Sequence, residues 1–179
     1  ERQGSYYGGN KEDYQRFIKN QNGVGACKVK RRTIEDTNIY PYILTDSYGI
    51  PGRGLIDQLQ TVIDPVQNQG EGEGIAPIGH TVIIKAAVAK EINISSNITY
   101  DTGYSQEDVQ SQMNTEVDRY FLELAKEWEN TESMIVRIAQ IEARLLSITG
   151  ISETMLNGTA ENIILGYEYI PVRGTVNGV

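Results

Sequence analysis

The chain has 179 residues and a mass of 19.9 kDa, room for one ordinary domain or two small ones. Hydrophobic residues make up 39% and charged residues 22%, a balance for a folded chain, and no apolar run approaches the ~20 residues that span a bilayer. A formal net charge of −8 argues against a nucleic-acid partner, whose phosphates require clustered cations; neither nucleic acid nor membrane is expected.

The first residue is Glu1 and no basic-then-apolar signal follows it, so a piece of a longer chain is expected. Residues 1–10, polar and glycine-rich, read as a lead-in. Asn10 with Asp13 three residues on marks a helix start, and KEDYQRFIKN should bury Tyr14, Phe17 and Ile18. NGVG turns the chain into a strand over 26–34. Alternation there puts Lys28, Lys30 and Arg32 on one solvated face, and Cys27, Val29 and Arg31 on the other. Cys27 is the sole cysteine, so no internal disulfide is possible; it reads as a small core residue in a chain with a cytosolic history. In the second strand, NIYPYILTD, Pro41 argues for an edge position or a bulge. Leu55, Ile56, Leu59, Val62 and Ile63 then recur at helical spacing until Asp64-Pro65 stops the segment.

Residues 70–80, GEGEGIAPIGH, hold the only histidine. A phosphate cradle needs converging N–H groups at a helix start; here a proline and a β-like run follow, and Glu71 and Glu73 would repel the ligand. Glu71, Glu73 and His80 are possible metal ligands, though their spacing specifies no geometry. The favoured reading is a structural crossover loop shaped by Gly70, Gly72, Gly74, Pro77 and Gly79, with His80 starting a long strand. HTVIIKAAVAK reads as a buried strand. EINISSNITY continues it with Ile92, Ile94, Ile98 and Tyr100 on one side and Asn93, Ser95, Asn97 and Thr99 on the other. A change of partner near Lys90–Glu91 divides the chain into a first subdomain over 11–90 and a second over 91–179.

Ser105 and Asp108 open the strongest helix, with an apolar stripe of Val109, Met113, Val117, Tyr120, Phe121, Leu124 and Trp128. A second helix is predicted over 133–147, its seam running through Met134, Ile138, Ile141, Leu145 and Ile148. Short strands broken at NG, Gly166 and Gly174 end the chain. The expected fold is α+β: two small α/β sandwich subdomains, with helices packed on one face of short mixed sheets. No paired acids, Cys/His cluster or nucleophile motif stands out, so no catalytic, cofactor or metal residue is assigned. The sequons at Asn93, Asn97 and Asn157 read as chance. Glu116, Asp118, Glu123, Glu127 and Glu129 suit a solvated helix face or, less well, a basic partner. The 11 tyrosines, among them Tyr6, Tyr7, Tyr40, Tyr42, Tyr48, Tyr167 and Tyr169, suit half-buried sheet positions and assembly interfaces alike.

Three stretches in order, YYGGNKEDYQRFIKNQNGVGACKV, ILTDSYGIPGRGLIDQLQTVIDP and GEGEGIAPIGHTVIIKAA, resemble the central part of the J-like baseplate proteins of contractile phage tails, Mu-type and XkdT-type. INISSNITYDTGYSQEDVQSQM and LNGTAENIILGYEYIPVRGTV are similar to that family's C-terminal part. The most specific pieces are Ala76-Pro77-Ile78-Gly79 and Ile170-Pro171-Val172-Arg173-Gly174. The resemblance implies a non-enzymatic structural protein of the virion tail baseplate, assembled in the bacterial cytoplasm without cofactor. It further implies wedge contacts around the hub, sixfold symmetry, other wedge and hub proteins as partners, and an additional N-terminal region. NQNGVG and the tyrosine-rich GYEYIPV depart from the family pattern. Glu123, Glu127, Tyr167 and Tyr169 are the interface candidates. The same scaffold would serve a bacterial contractile injection system. Rivals of other classes are a small acidic metal-binding or enzymatic domain using Glu71, Glu73 and His80, and a carbohydrate- or receptor-binding module using exposed tyrosines.

Overall fold

The computed structural model describes residues 8–31, 33–157 and 161–178. The chain is α+β and divides into two compact units, residues 1–87 and 88–179.

Unit 1 begins with helix α1 (Lys11–Lys19). The Asn10 side chain accepts the Asp13 N–H at 2.9 Å, supplying one of the acceptors that a helix start lacks. Tyr14 and Ile18 are buried beneath it and Phe17 is partly buried. Strand β1 (Val24–Lys30) pairs antiparallel with β2 (Tyr40–Thr45), and β2 pairs parallel with the short β3 (Lys85–Ala86). Helix α2 (Arg53–Ile63) lies between β2 and β3 in sequence. Cys27 is buried in the core with Val29, Ile43, Leu59 and Ile63, each large aliphatic contributing roughly 1.5–3 kcal/mol of burial.

Several expectations change here. The first strand ends at Lys30 rather than 34, and Arg32 lies outside the described residues. Lys28 is only 2% exposed, not solvated, because both faces of β1 are covered: Ala26 and Lys28 on one, Cys27 and Val29 on the other. Pro41 lies in the middle strand rather than at an edge. Ile39 bridges Val82, and the ladder resumes in the same register at Tyr42 and Lys85. Pro41, which has no N–H to give, occupies the gap. The irregular register is instead in β1, between Val24 and Ala26. Val62 is 40% exposed and leaves the expected stripe.

Unit 2 is built on β4 (Val88–Tyr100), the middle strand of three, so the apolar run from His80 is not one strand. Its first part belongs to unit 1 as the Val82 bridge and β3; the remainder is β4. Helix α3 (Gln106–Glu127) buries Val109, Met113, Val117, Tyr120, Phe121 and Ala125, and Trp128 is fully buried in the 3-10 turn that ends it. Leu124 is only partly buried.

The predicted helix over 133–147 resolves into two elements, strand β5 (Met134–Val136) and helix α4 (Ile138–Leu146). β5 pairs with β7 (Ile163–Leu165), and the α4 start is capped from a distance, Ile138 N–H donating to Asn162 Oδ1 at 3.1 Å. Strands β6 (Ile151–Leu156) and β8 (Tyr169–Gly178) flank β4, antiparallel and parallel respectively. Helices α3 and α4 pack against β8 and β6, and the β4 face carrying Ile92, Ile94 and Ser96 is buried. Gly174 does not break β8. It lies in a bulge, where the register moves from Ile92–Arg173 to Ile94–Val176.

Candidate functional site

The GEGEG segment has a defined path, set by residues that precede it. At the end of α2, Gln60 and Asp64 are one turn apart and buried. Asp64 accepts the Gly70 N–H through Oδ1 at 3.0 Å and the Val82 N–H through Oδ2 at 2.8 Å. Gln60 Nε2 donates to the Asp64 and Val82 carbonyls at 2.6 and 2.8 Å, while its Oε1 accepts the Ile84 N–H at 2.9 Å. Two side chains thereby bind both ends of the loop to the helix.

The loop then closes on itself, Gly79 N–H donating to the Gly70 carbonyl at 2.8 Å. Gly70, Gly72 and Gly79 have φ of 80°, 75° and 85°, a region side chains disfavour. At Gly74 the requirement is space: a Cβ there would lie 2.7 Å from the Ile63 carbonyl carbon. Pro77 packs near Gly9, and Ile78 is 82% exposed.

The candidate ligands do not share partners. Glu73 accepts from Asn68 Nδ2 at 2.6 Å, Glu71 is exposed, and His80 Nδ1 lies 2.9 Å from the Tyr14 hydroxyl. His80 precedes the Val82 bridge instead of starting a long strand. Among the described residues, no three His, Cys, Asp or Glu side chains are grouped to hold a metal. The sequence signal for Gln60 and Asp64 is slight: they are polar residues beside Leu59 and Ile63 on the buried stripe, and Asp64-Pro65 marks a helix stop.

In unit 2 the acids of α3 are largely engaged. Glu123 accepts from Arg144 at 2.6 Å, and that guanidinium lies 5.0 Å from the Tyr120 ring centroid. Asp118 pairs with Arg173 at 2.7 Å, and Glu116 pairs with Arg119. Glu127 stays exposed, within 3.4 Å of Asn130 Nδ2. Tyr167 and Tyr169 are partly buried, Tyr169 beside Gly166, whereas Tyr40 and Tyr42 are buried and present no surface. Tyr6 and Tyr7 lie outside the described residues. The sequon asparagines serve the sheet: Asn93 Oδ1 accepts the Thr175 N–H at 2.8 Å, and Asn157 Nδ2 donates to Asn97 Oδ1 at 2.8 Å.

At the N-terminus of α3, Asp108 Oδ2 accepts from the Ser105 hydroxyl at 2.6 Å and from its N–H at 2.8 Å. The hydroxyl first, and the backbone N–H second, hold the Asp108 carboxyl below its ordinary value. Burial pushes the Tyr100 phenol up.

The class of protein follows from the sequence matches of both units, which are those of a tail-baseplate component. Residues 6–86 match the Baseplate J-like central domain, and residues 92–178 match the Baseplate J-like protein C-terminal domain. The chain belongs to the Baseplate J-like family, a tail-baseplate component of the phage or contractile-injection type. It is 29% identical over 170 residues to the phage-like element PBSX protein XkdT of Bacillus subtilis (strain 168), covering 93% of this chain and 47% of that protein. It is 29% identical over 171 residues to the uncharacterized protein YqbT of the same strain, covering 94% and 47%. The chain thus spans about half the length of these relatives. A chain of the sixfold-symmetrised baseplate of the anti-feeding prophage (AFP), solved by cryo-EM, shares the fold with a TM-score of 0.57 at 9% identity, covering 92% of this chain and 37% of that one.

Proposed function

We propose that the chain is a non-enzymatic structural module that makes wedge contacts around the hub of a sixfold baseplate, its partners being other wedge and hub proteins. The particle is a phage or prophage tail, assembled in the bacterial cytoplasm. The observation that carries this reading is the consecutive match of both units to the family's central and C-terminal domains. The hydrogen-bond partners of the GEGEG loop support a scaffolding role for it, since its ends are held by Gln60 and Asp64. Glu127, Tyr167 and Tyr169 are the proposed contact residues. Glu123 is a weaker candidate, because its carboxylate already holds Arg144.

The test is made on source cells treated with a DNA-damaging agent. Tail-like particles are sedimented and this protein's peptides quantified against sheath and tube proteins by mass spectrometry. A few copies per particle, well below sheath, is the expected result; absence from well-formed particles refutes the assignment. Within that assay Glu127→Lys should reduce incorporation while leaving the helix content of the purified chain unchanged. Normal incorporation of Glu127→Lys would remove Glu127 from the contact surface. A dedicated injection machine is the second reading, since the same scaffold would serve it; neighbouring lysis genes would point back to a phage.

A further inference from the structure

A cavity of about 310 Å³ in unit 1 opens beside α1, the end of β1 and the residue leading into β2. Its floor is apolar, formed by the buried Tyr14 and Val29 and the partly buried Ile39. Its rim is cationic, carrying Lys11, Lys30 and Arg31. The Arg31 guanidinium donates to the Ile34 and Asp36 carbonyls at 3.0 and 3.4 Å, which positions it without neutralising its charge. The nearby Asp36 carboxylate is engaged elsewhere, by the Tyr40 hydroxyl at 2.9 Å and the Asn38 N–H at 3.1 Å.

A cationic rim runs against the overall charge of the molecule. Residues 1–87 carry ten Lys and Arg and ten Asp and Glu, whereas residues 88–179 carry six and fourteen, so the whole excess of acid lies in unit 2. We propose that this cavity is a docking site for an acidic segment of a partner polypeptide that inserts one apolar or aromatic side chain. The inserted side chain loses water against Tyr14, Val29 and Ile39, while carboxylates beside it meet Lys11 and Arg31. Arg31, already oriented, suits a planar carboxylate. A simple anion has no use for the floor, and a basic segment is repelled by the rim. The proposal deepens the assembly reading by naming the chemistry of one partner, and rests on it only for the source of the segment.

The test uses the isotope-labelled chain titrated by NMR with the acidic peptide Ac-DEFLED-NH2. The expected result is saturable shifts centred on the Gly9, Val29, Lys30 and Ile39 amides. Lys11→Glu and Arg31→Glu should each weaken binding by about tenfold, the effect of reversing a close charge. Lys11→Glu puts an acid in the first turn of α1, where the helix dipole favours it, so folding is retained. The proposal is overturned by an absence of shifts at millimolar peptide, by equal shifts with Ac-KKFLKK-NH2, or by equal shifts with Ac-DESSED-NH2, which lacks the apolar anchor. A negative titration alongside normal incorporation into particles would sink the docking site and leave the baseplate assignment standing.

Discussion

In unit 1 the chain leaves α2 and returns to the sheet through a loop of glycines and glutamates that has little apolar surface to bury. Its path is held by polar contacts in the interior, with Gln60 and Asp64 supplying acceptors and donors to Gly70, Val82 and Ile84. Unit 2 has long elements instead. The stripe of α3 and the inner face of β4 bury Val109, Met113, Phe121, Ile92 and Ile94, and its ion pairs lie on partly exposed surface. A buried hydrogen bond is worth little net while intact but much when one partner is removed, whereas an exposed ion pair is worth little either way. Polar substitution should therefore damage unit 1 more than unit 2.

The largest effect is expected at Asp64→Ala, which strips the acceptor from the buried Val82 N–H and the part-buried Gly70 N–H. At about 1–3 kcal/mol for each orphaned group, the loss should be about 4 kcal/mol in urea unfolding. Faster hydrogen exchange at the Gly70 and Val82 amides would locate it. A loss below about 1 kcal/mol would break the contrast between the units. In unit 2, Gly174→Ala brings a Cβ against Asn93 Oδ1 and within 2.9 Å of Glu91 Cγ. Displacing Asn93 should cost about 1–2 kcal/mol, an overpacking penalty moderated by exposure.

Ser105→Ala has the smallest expected effect of the three, since it removes the hydroxyl donor to the exposed Asp108 carboxylate and leaves the backbone donor in place. It also tests a pH dependence. A carboxyl held below its ordinary value stabilises the fold fully above that value, and the contribution is lost as pH falls through the lower folded value. Wild type and Ser105→Ala should therefore differ at neutral pH and converge in acid, with the Asp108 titration moving up in the variant. Parallel stability curves down to the acid limit would show that the hydroxyl is not the cause.

Much of the fold was legible in local sequence because the decisive contacts are local. Asn10 caps the helix it precedes, Ser105 and Asp108 cap theirs, and the alternation of β4 sorts Ile92 and Ile94 from Asn93 and Asn97. Gly70, Gly72 and Gly79 are legible as turn formers, since each takes a positive φ that glycine adopts without strain. The residues that hold their loop are not, because a buried Gln60 and Asp64 look in sequence like ordinary polar positions on a helix.

What the sequence by itself determined, then, was the set of segments with their own periodicity or caps, the absence of a spanning helix, and the order of motifs that carries the family. Tertiary structure decided the rest wherever the partner was distant in the chain. Met134 fits the seam through Ile138, Ile141 and Leu145, yet belongs to a strand because Leu165 lies opposite it and Asn162 caps the helix after it. Lys28 alternates as a solvated residue but is buried because the second face of its strand is covered too. Pro41 sits in a middle strand because its missing N–H falls where the ladder to β3 is interrupted. Periodicity reports which side of an element is apolar; only the packed chain decides which neighbours complete the hydrogen bonds.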